Sequence, residues 1–490
     1  MNIHLILQMA ADSMPGREAV ICGSQRLTYQ ALADAVNALA DKLEDTKKLA
    51  YLAETGAAAP VAMFAAALRG IPYVPINYRL AEDQIKALLK RVSPALLISD
   101  DAPEVEGISR ITPAQVFSPG TPWDGFAPDE EGGVAIELFT SGTTGDPKSA
   151  ILRHDNLMAY VLGTIEFMSA EETQSTLVSV PPYHIAGISA ILSSVYAGRR
   201  MIQLPNFSPE AWIKLAMQEN VSQAFLVPTM LQRIIEHVTN KNETLHLPAM
   251  QAIAYGGGKM PHAVIEQAMS LMPHVNFTNA YGLTETSSTI CLLDPDDHRE
   301  AFDSDDPAVR ARLSSVGRPL PAVELEIRDD NNSPCSPGEA GYVFVRGDQV
   351  SGEYHGSGSL LDENGWFPTR DRGYLDDAGY LFLDGRADDV IVRGGENISP
   401  GEIEDVLIEM SDIKDVAAIA VADDEWGEAV GVVIVPTDMN VPPEIEAIKT
   451  HVRDQLRSSR VPTQVKFTEE LPYNETGKLL RRVLRDGFST

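Results

Sequence analysis

The chain has 490 residues, of which 44% are hydrophobic, and its formal net charge is −31 at pH 7. This length exceeds a single domain of roughly 50–250 residues, so several compact units are expected. The strong negative charge disfavours nucleic acid as a partner, and any polyanionic ligand would need local cations and backbone amides. The longest apolar run, Ala57–Leu68, is shorter than the about 20 residues of a membrane-spanning helix, so it is expected to be a buried helix.

The three cysteines, Cys22, Cys291 and Cys335, lie far apart in the chain. They form no CxxC pair and are odd in number, which argues against a zinc site and against a disulfide framework. The first residues lack the pattern of a secretory signal. Together these features predict a protein of the reducing cytoplasm.

Helical and strand patterns alternate along the first part of the chain. Leu27–Leu43 carries apolar residues at helical spacing, with Thr28 as the expected N-cap. The other expected helices are Glu82–Arg91, Asn156–Phe167, Pro209–Gln218 and Pro228–His237, and the expected strands include Ala95–Ile98, Val134–Phe139, Thr176–Val180 and Ala224–Val227. Strands that alternate with helices predict layered α/β subdomains with mostly parallel sheets.

The pattern changes after about Ser314, where turn residues separate short apolar runs. The runs expected as strands of a small antiparallel β-barrel or sheet are Val323–Arg328, Gly341–Arg346 and Gly379–Leu383. The helices expected beyond them are Pro400–Glu409 and Pro443–Leu456, with strands at Val416–Val421 and Ala429–Val435. The sequence therefore predicts a large α/β N-terminal domain, residues 1–385, and a small α+β C-terminal domain, residues 389–490.

A loop rich in glycine and hydroxyl side chains follows the expected strand Val134–Phe139 and reads TSGTTGDPK. Glycines let the backbone approach a ligand closely, successive N–H groups bind anions, and a lysine adds a point charge. The loop is not a Walker A motif, and a flexible surface loop is the alternative interpretation. The candidate phosphate ligands are Thr140, Ser141, Gly142, Thr143, Thr144, Gly145 and Lys148.

This loop resembles the TSGTTGxPKG signature of the adenylate-forming enzymes, which include acyl- and aryl-CoA ligases, adenylation domains of nonribosomal peptide synthesis and beetle luciferases. Ser149 stands where the family usually has glycine. Further motifs follow in the family's order, so the resemblance extends from about Leu27 to Arg485. It implies ATP, Mg²⁺ and a carboxylic acid as ligands. It also implies that the C-terminal domain is mobile about a hinge at residues 386–388.

Two segments resemble the family's adenine and metal motifs. In the segment YGGGKM, Gly257 and Gly258 would leave room for the flat adenine ring and the acyl group. In the segment NAYGLTET, the resemblance implies that Tyr281 stacks on adenine, Thr284 contacts the α-phosphate and Glu285 holds Mg²⁺. A carboxylate suits that role because Mg²⁺ prefers oxygen ligands and bridges phosphate oxygens. Outside such motifs, a glycine run is usually a turn and a glutamate a solvated charge.

Three later segments complete the nucleotide site that the resemblance implies. In the segment WFPTRD, Asp371 would bind the ribose hydroxyls, although Arg370 replaces the usual glycine. In the segment GRADD, Arg386 would contact the ribose or phosphates and Asp388 would be the pivot of the hinge. In the segment NETGK, Lys478 would bridge the attacking carboxylate and the α-phosphate, whereas an isolated lysine near a chain end is normally a solvated charge.

The segment PPYHIAG resembles an element that lines the acyl pocket of the family, although a lone histidine among apolar residues is more often part of the core. The implied pocket is uncharged and mostly made of small residues, which disfavours a dicarboxylate and leaves aromatic and medium-chain monocarboxylic acids open. Its predicted residues are His184, Ile185, Ala186, Gly258, Ala280, Gly282, Ser287 and Ser288.

Coenzyme A is the expected acyl acceptor. Gly394 and Gly395 lie in a segment that resembles the family's GGENI loop, which borders the pantetheine tunnel. Trp426 and Arg460 lie in segments that resemble those placed near CoA, where the arginine could meet a phosphate. No carrier domain follows, the aspartate of amino-acid-activating domains is not seen in Pro182–Gly187, and no SKL ending supports a luciferase.

The sequence therefore predicts an ATP-dependent carboxylic acid–CoA ligase. Such an enzyme forms an acyl-adenylate with release of pyrophosphate, then an acyl-CoA thioester with release of AMP. Since charge builds on phosphoryl oxygens, catalysis would rest on positioning and electrostatic stabilisation by Lys478, Thr284, Glu285 and Lys148. A ligase that loads a separate acyl-carrier protein and a non-catalytic nucleotide-binding relative are the alternatives. A homodimer is left open.

Overall fold

A computed structural model describes residues 1–123, 125–128, 132–140, 147–241, 245–423, 425–474 and 478–488. The chain divides into two compact units. The first unit comprises Met1–Glu324 and Val345–Phe367, and the second comprises Leu325–Phe344 and Pro368–Thr490. Residues 386–388 thus lie inside the second unit, and the domain boundary placed there by sequence stays a prediction. Within the described residues, no helix has both the length and the apolar character to span a membrane.

The helices and strands occur in an order that mixes both types along most of the chain. The α-helices are α1 (His4–Ser13), α2 (Tyr29–Asp41), α3 (Ala58–Arg69), α4 (Glu82–Val92), α5 (His154–Thr164), α6 (Ile185–Ala197), α7 (Pro209–Gln218), α8 (Pro228–Lys241), α9 (His262–Leu271), α10 (Pro295–Asp303), α11 (Pro307–Arg310), α12 (Pro400–Leu407), α13 (Ile445–Gln455) and α14 (Arg481–Phe488). The short 3₁₀-helices are Pro113–Phe117, Thr284–Thr286, Ala311–Ser314, Ala387–Asp389 and Ser458–Arg460.

The strands are mostly short, as expected of layered α/β proteins. They are β1 (Glu18–Cys22), β2 (Gln25–Thr28), β3 (Leu49–Tyr51), β4 (Tyr73–Pro75), β5 (Ala95–Ile98), β6 (Ile108–Ile111), β7 (Val134–Thr140), β8 (Lys148–Arg153), β9 (Ser175–Val178), β10 (Arg200–Gln203), β11 (Gln223–Leu226), β12 (Ala252–Gly256), β13 (Asn276–Leu283), β14 (Ser288–Leu293), β15 (Arg318–Pro319), β16 (Glu324–Arg328), β17 (Gly341–Arg346), β18 (Glu353–Tyr354), β19 (Gly358–Ser359), β20 (Phe367–Leu375), β21 (Leu381–Arg386), β22 (Ile391–Arg393), β23 (Glu396–Ile398), β24 (Ile413–Asp423), β25 (Gly427–Pro436) and β26 (Gln464–Phe467).

The first unit contains two mixed sheets. One has the order β15-β14-β13-β12-β11-β9-β10-β1-β2 and is parallel from β13 to β1, with antiparallel strands at both edges. The other has the order β19-β18-β8-β7-β4-β3-β5-β6 and is parallel from β7 to β6. Strands such as β5 are buried on both faces, which explains their continuous apolar sequence. These sheets confirm the predicted α/β class.

Two local predictions for the first unit are also confirmed. The side chain of Thr28 accepts a hydrogen bond of 3.1 Å from the backbone N–H of Ala31 and so caps α2. The alanine-rich run Ala57–Leu68 forms most of α3 and is buried throughout, because the helix lies inside the core rather than at its surface.

The second unit is built on two smaller sheets. The strands β16, β17, β20 and β21 form a four-stranded sheet, where the sequence predicted a small barrel or sheet. The strands β22 to β26 form the other sheet, in which the long strands β24 and β25 pair antiparallel and carry α12 and α13 on an apolar face. This α+β arrangement confirms the predicted class of the C-terminal part.

The turn between β13 and β14 depends on a close approach of two backbones. Gly282 pairs with Thr289 across the hairpin, and a Cβ atom added at Gly282 would lie 1.9 Å from the Ser288 carbonyl oxygen. Since backbone cannot yield as a flexible side chain does, only glycine fits at this position. The hairpin carries the segment NAYGLTET, so its geometry places the predicted metal ligand.

We expect Gly282→Ala to lower the free energy of unfolding of the first unit by roughly 2–3 kcal/mol, because the added methyl group forces the hairpin open. Urea unfolding followed by tryptophan fluorescence measures the change. Gly163→Ala in α5 is the matched control, because its Cβ would meet only Ala322 Cβ at 3.9 Å. That variant should be neutral or more stable by up to about 1 kcal/mol. Equal unfolding curves for the two variants would contradict the steric argument.

A buried histidine holds the beginning of the chain against α5. His154 is 5% exposed, and its Nδ1 atom accepts a hydrogen bond of 3.3 Å from the backbone N–H of Ile3. Burial, with a smaller contribution from the N-terminal ammonium, lowers the pKa of His154 from 6.5 to about 4. The ring is therefore neutral in the folded protein at pH 5, whereas an unfolded histidine is mostly protonated there.

We expect this histidine to make the first unit less stable by roughly 1–2 kcal/mol at pH 5 than at pH 7. Because folding lowers the pKa of His154, the free energy of unfolding is unaffected by this group above pH 6.5. It falls as the pH is lowered from 6.5 towards 4, where the unfolded chain binds the proton more strongly. Urea unfolding of His154→Gln should show a smaller loss between the two pH values than the parent. The exposed His246→Gln variant is the control and should lose as much as the parent. A loss in His154→Gln equal to that of the parent would refute the assignment.

Candidate active site

The predicted adenine-binding segments lie side by side in the first unit. The strands β12 and β13 are parallel, and Gly256 pairs with Ala280 at their carboxyl ends. Gly257 and Gly258 follow β12 directly, and Tyr281 lies next to Ala280 on β13. Gly257 is exposed, while Gly258 and Tyr281 are half-buried. Ligands of open α/β sheets bind beyond the carboxyl ends of the strands, so this edge is a suitable place for a flat ring.

Glu285, the predicted magnesium ligand, lies in the 3₁₀-helix Thr284–Thr286 that follows β13. It is 9% exposed, and the hydroxyl of Tyr354 donates a hydrogen bond to its Oε1 atom. The backbone N–H groups of Ser351 and Gly352 donate to its carbonyl oxygen, at 2.9 and 3.1 Å. The carboxylate is therefore held in one orientation, which is what a metal ligand needs.

The chemistry of this residue fits Mg²⁺. In the described ranges, no three side chains among histidine, cysteine, aspartate and glutamate gather into a metal-binding group. Mg²⁺ commonly binds proteins through one or two carboxylates and takes its other ligands from substrate phosphates and water. A single oriented carboxylate such as Glu285 therefore suffices.

The strands β7 and β8, which flank the predicted phosphate loop in the chain, pair antiparallel. Thr140 pairs with Lys148 across the hairpin, and the Thr140 hydroxyl donates to the Lys148 carbonyl oxygen at 3.4 Å. The predicted ligands Ser141, Gly142, Thr143, Thr144 and Gly145 lie outside the described residues. Arg91 at the end of α4 donates a hydrogen bond of 2.6 Å to the carbonyl oxygen of Pro147 and so supports the end of the loop.

A segment that sequence analysis did not single out, residues 349–355, joins the two sheets of the first unit. On one side, Gln349 Nε2 donates to the carbonyl oxygens of Thr286 and Thr289 at 3.0 and 2.8 Å. On the other side, Ser351 Oγ donates to the Ile151 carbonyl oxygen on β8 at 2.7 Å. Tyr354 is separated from Glu285 by 69 positions. No local periodicity or glycine run marks such a contact, so the sequence offered no signal for it.

The predicted acyl-pocket residues lie at the start of α6 and in the β13–β14 hairpin. His184 is the N-cap residue of α6, and its ring centroid lies 4.6 Å from that of Tyr183. His184, Ile185 and Ala186 are half-buried, as are Ala280, Gly282 and Ser288 in the hairpin. Ser287, in contrast, is fully buried. Of the two predicted serines, only Ser288 therefore has a side chain that could face a substrate in this arrangement.

The predicted ribose ligand Asp371 lies in the second unit, 6% exposed. It pairs with Arg386 across β20 and β21, and the Arg386 guanidinium lies 3.2 Å from its carboxylate. The two residues that resemble the family's ribose contacts are therefore in contact with each other. Arg370, which replaces the usual glycine, has a positive φ of 64°, so it keeps the backbone conformation that glycine favours. Its guanidinium lies 3.9 Å from the carboxylate of Asp388.

The predicted CoA residues lie on the edge of the sheet formed by β22 to β26. Gly394 donates a backbone hydrogen bond of 2.9 Å to the Trp426 carbonyl oxygen, and Gly395 follows in the same turn. The Trp426 side chain is 44% exposed, and the Arg393 guanidinium lies 5.4 Å from its ring centroid. An exposed aromatic ring beside a glycine turn can cover a slender thioester arm.

Arg460 is engaged by two carboxylates. Its Nε atom lies 2.9 Å from Glu402, and its Nη1 atom donates to Glu396. Its side chain is only 12% exposed. The predicted contact with a CoA phosphate would have to compete with these ion pairs, so it stays a prediction that this arrangement does not favour.

Lys478 lies in the second unit, directly after residues 475–477, which are outside the described residues. Its backbone N–H donates to Asn474 Oδ1 at 2.8 Å, and Tyr473 forms an antiparallel β-bridge with Leu479. Leu471 packs against β24 and β25. Residue Lys478 itself is exposed.

Comparisons with known proteins agree with this architecture. A family model described as AMP-binding enzyme matches residues 7–355, and one described as AMP-binding enzyme C-terminal domain matches residues 402–478. A 2-succinylbenzoate–CoA ligase of Bacillus cereus is 28% identical over 498 residues, covering 98% of this chain and 97% of the relative. The fatty acid–acyl-carrier-protein ligase ScoC of Streptomyces coeruleorubidus is 28% identical over 508 residues, covering 98% and 95%.

A solved structure has the same fold over nearly the whole chain. It is o-succinylbenzoate CoA synthetase (MenE) from Bacillus subtilis in complex with the acyl-adenylate intermediate OSB-AMP, with a TM-score of 0.84, 26% identity and 98% coverage of both chains. The same synthetase in complex with ATP and magnesium ion gives a TM-score of 0.82 at 25% identity, with 99% coverage of both chains. Since the first family model alone spans more than half of the chain, this protein belongs to the AMP-binding enzyme family, as its resemblance to the adenylate-forming enzymes predicted.

Proposed function

We propose that this chain is an ATP-dependent carboxylic acid–CoA ligase, which forms an acyl-adenylate with release of pyrophosphate and then an acyl-CoA thioester with release of AMP. The observation that carries the proposal is the orientation of Glu285 by a segment that also binds β8, the strand that begins at Lys148. A carboxylate and a lysine held together in this way suit a magnesium–triphosphate complex. The match to MenE with bound acyl-adenylate, ATP and magnesium supports the same reaction.

The residues of the first unit would bind and polarise the triphosphate. Lys148 and the loop from Thr140 to Gly145 would hold the phosphates that leave, and Thr284 would donate to an oxygen of the α-phosphate. When bound at Glu285, Mg²⁺ neutralises charge on the phosphate oxygens. Such preorganised groups act on the charge that develops during transfer, so no covalent enzyme intermediate is needed.

The predicted ligands in the second unit would contact the ribose, the acid and the pantetheine arm. Asp371 would accept from the ribose hydroxyls, since its carboxylate is already fixed by Arg386. Lys478 would bridge the acid and the α-phosphate. Gly394, Gly395 and Trp426 would border the path of the pantetheine arm in the second half-reaction. We further propose that the C-terminal part rotates about Asp388 between these half-reactions.

An aromatic acid is the proposed substrate class. The half-buried pocket residues Ile185, Ala186, Ala280 and Gly282 are uncharged and mostly small, which suits a broad, flat acyl group. The relative from Bacillus cereus acts on 2-succinylbenzoate, an aromatic acid with a second carboxyl group. The predicted pocket residues include no lysine or arginine to pair with that second carboxylate, so we propose a monocarboxylic aromatic acid, with a medium-chain acid as the runner-up.

The cellular location and oligomeric state are part of the proposal. Cys22, Cys291 and Cys335 are free thiols in the described residues, which agrees with the reducing cytoplasm as the proposed location. A homodimer stays a prediction that light scattering would test.

Pyrophosphate release from ATP, measured across aromatic, cinnamic, short-chain and medium-chain acids with and without CoA, tests the function. We expect release that requires an aromatic acid and accelerates with CoA. 3-Benzoylpropionate and 2-succinylbenzoate form the decisive pair, because they differ only in the carboxylate on the ring. Release that depends on an acid but ignores CoA, together with transfer to a carrier protein as the name of ScoC suggests, would move the acceptor from CoA to such a protein. No release with any acid would contradict the ligase proposal.

We expect Lys478→Ala to slow adenylate formation by about 10²–10³-fold, because it removes a charge from the developing transition state. The variant should still convert supplied acyl-adenylate and CoA to the thioester at close to the parent rate. Lys414→Ala, which removes another exposed lysine of the second unit, is the matched control and should leave both half-reactions unchanged. An equal loss in both half-reactions of Lys478→Ala would show that the lysine does not serve adenylation specifically.

A further inference from the structure

We propose that Tyr354 is a positioning residue, which orients the Glu285 carboxylate for Mg²⁺ and holds the magnesium and phosphate-loop sides of the site in register. The inference rests on the proposed function, since Glu285 is the magnesium ligand proposed there. Tyr354 belongs to none of the motifs that resemble the family, and its role is inferred from the contacts of this chain.

The first contact of Tyr354 is with the metal ligand. Its hydroxyl donates a hydrogen bond to Glu285 Oε1, while the backbone of Glu285 is held by the N–H groups of Ser351 and Gly352. One carboxylate oxygen is thus held by a neutral donor rather than by a competing cation.

The second contact of Tyr354 is with the phosphate-loop lysine. The Nζ atom of Lys148 lies 5.7 Å from the centroid of the Tyr354 ring, within the range of a cation–π interaction. The hydroxyl and the ring of one side chain therefore serve different partners. The hydroxyl meets the proposed metal ligand, and the ring meets the cation that would bind the leaving phosphates.

Tyr354 can act in this way only if its own position is fixed, and three contacts fix it. Tyr354 pairs with Ala150 in the sheet, through the strands β18 and β8. The neighbouring Glu353 forms two ion-pair contacts of 2.8 Å with Arg153. The backbone N–H of His355 donates to the Ser149 carbonyl oxygen at 2.8 Å. The tyrosine is therefore attached to the strand that begins at Lys148, so its hydroxyl places Glu285 relative to the loop.

The test is ATP binding measured by titration calorimetry at increasing Mg²⁺, with neither acid nor CoA present, so that the readout does not depend on turnover. Tyr354→Phe removes the hydroxyl and keeps the ring. We expect the Mg²⁺ concentration for half-maximal ATP binding to rise about 10-fold, the usual effect of losing a partner of a metal ligand, with ATP affinity at saturating Mg²⁺ little changed. Tyr354→Leu removes the ring as well and should also weaken ATP binding at saturating Mg²⁺.

Two further variants make the result decisive. Glu285→Gln should abolish the Mg²⁺ dependence, and Tyr160→Phe in α5 is the matched control and should leave it unchanged. If Tyr354→Phe follows the parent curve while Glu285→Gln does not, the positioning role is wrong and the proposed function stands. If the parent shows no Mg²⁺ dependence, or Glu285→Gln follows the parent, both the metal site and the role of Tyr354 are overturned. Circular dichroism of each variant checks that it is folded. If Tyr354→Phe is misfolded, the Mg²⁺ dependence of ATP binding by Tyr354→Leu tests the positioning role instead.

Discussion

The hydrogen bonds between residues 349–355 and the segment around Glu285 are the constraint on which the proposed site of the first unit depends. Each of the two sheets carries part of the proposed site, the phosphate loop on one and the adenine and metal segments on the other. The core of the first unit packs α2 and α3 together with strands of both sheets, and so sets how the two sheets lie. Gln349, Ser351 and Tyr354 add hydrogen bonds that connect the two parts of the proposed site. The parts of the proposed site are therefore linked by a segment that lies outside the recognised motifs.

This construction also explains how so acidic a chain can bind polyanions. A net charge of −31 repels a triphosphate at long range, although salt screens such repulsion beyond about 10 Å. At short range, the relevant groups are few and held by neutral neighbours. The proposed phosphate ligands are backbone N–H groups, hydroxyls and one lysine, and the proposed metal ligand is restrained by a neutral phenol. Affinity then comes from local arrangement, and the charge of the remaining surface matters mainly for solubility.

Much of the fold and part of the site could be predicted from sequence, because their causes are local or lie in contiguous motifs. The cap at Thr28 needs only a hydroxyl directly before a helix, and α3 needs only an apolar run. The segment that contains Glu285 is a contiguous pattern. The hydrogen bond of Tyr354 to Glu285 and the ion pairs of Arg460 join residues that are far apart in the chain. Such contacts depend on how sheets pack and on which carboxylates compete for a guanidinium. Neither can be predicted from the spacing of residues along the sequence.

Arg370 shows that a position where the family usually has glycine can require a backbone conformation rather than glycine itself. Residues 369–371 lie inside β20, and the left-handed conformation is kept at position 370 although glycine has been replaced. Thr369 and Asp371 anchor the strand on both sides of Arg370, because the Thr369 hydroxyl bonds to the Val343 carbonyl oxygen at 2.8 Å and Asp371 is held by Arg386. A left-handed residue with a side chain is costly by itself, and it persists here only because its neighbours over-determine it. The side chain at position 370 can consequently change during evolution, while the surrounding residues maintain the backbone conformation. An arginine at such a position projects from a strand directly beside the proposed ribose ligand, where selection can use it without rebuilding the backbone.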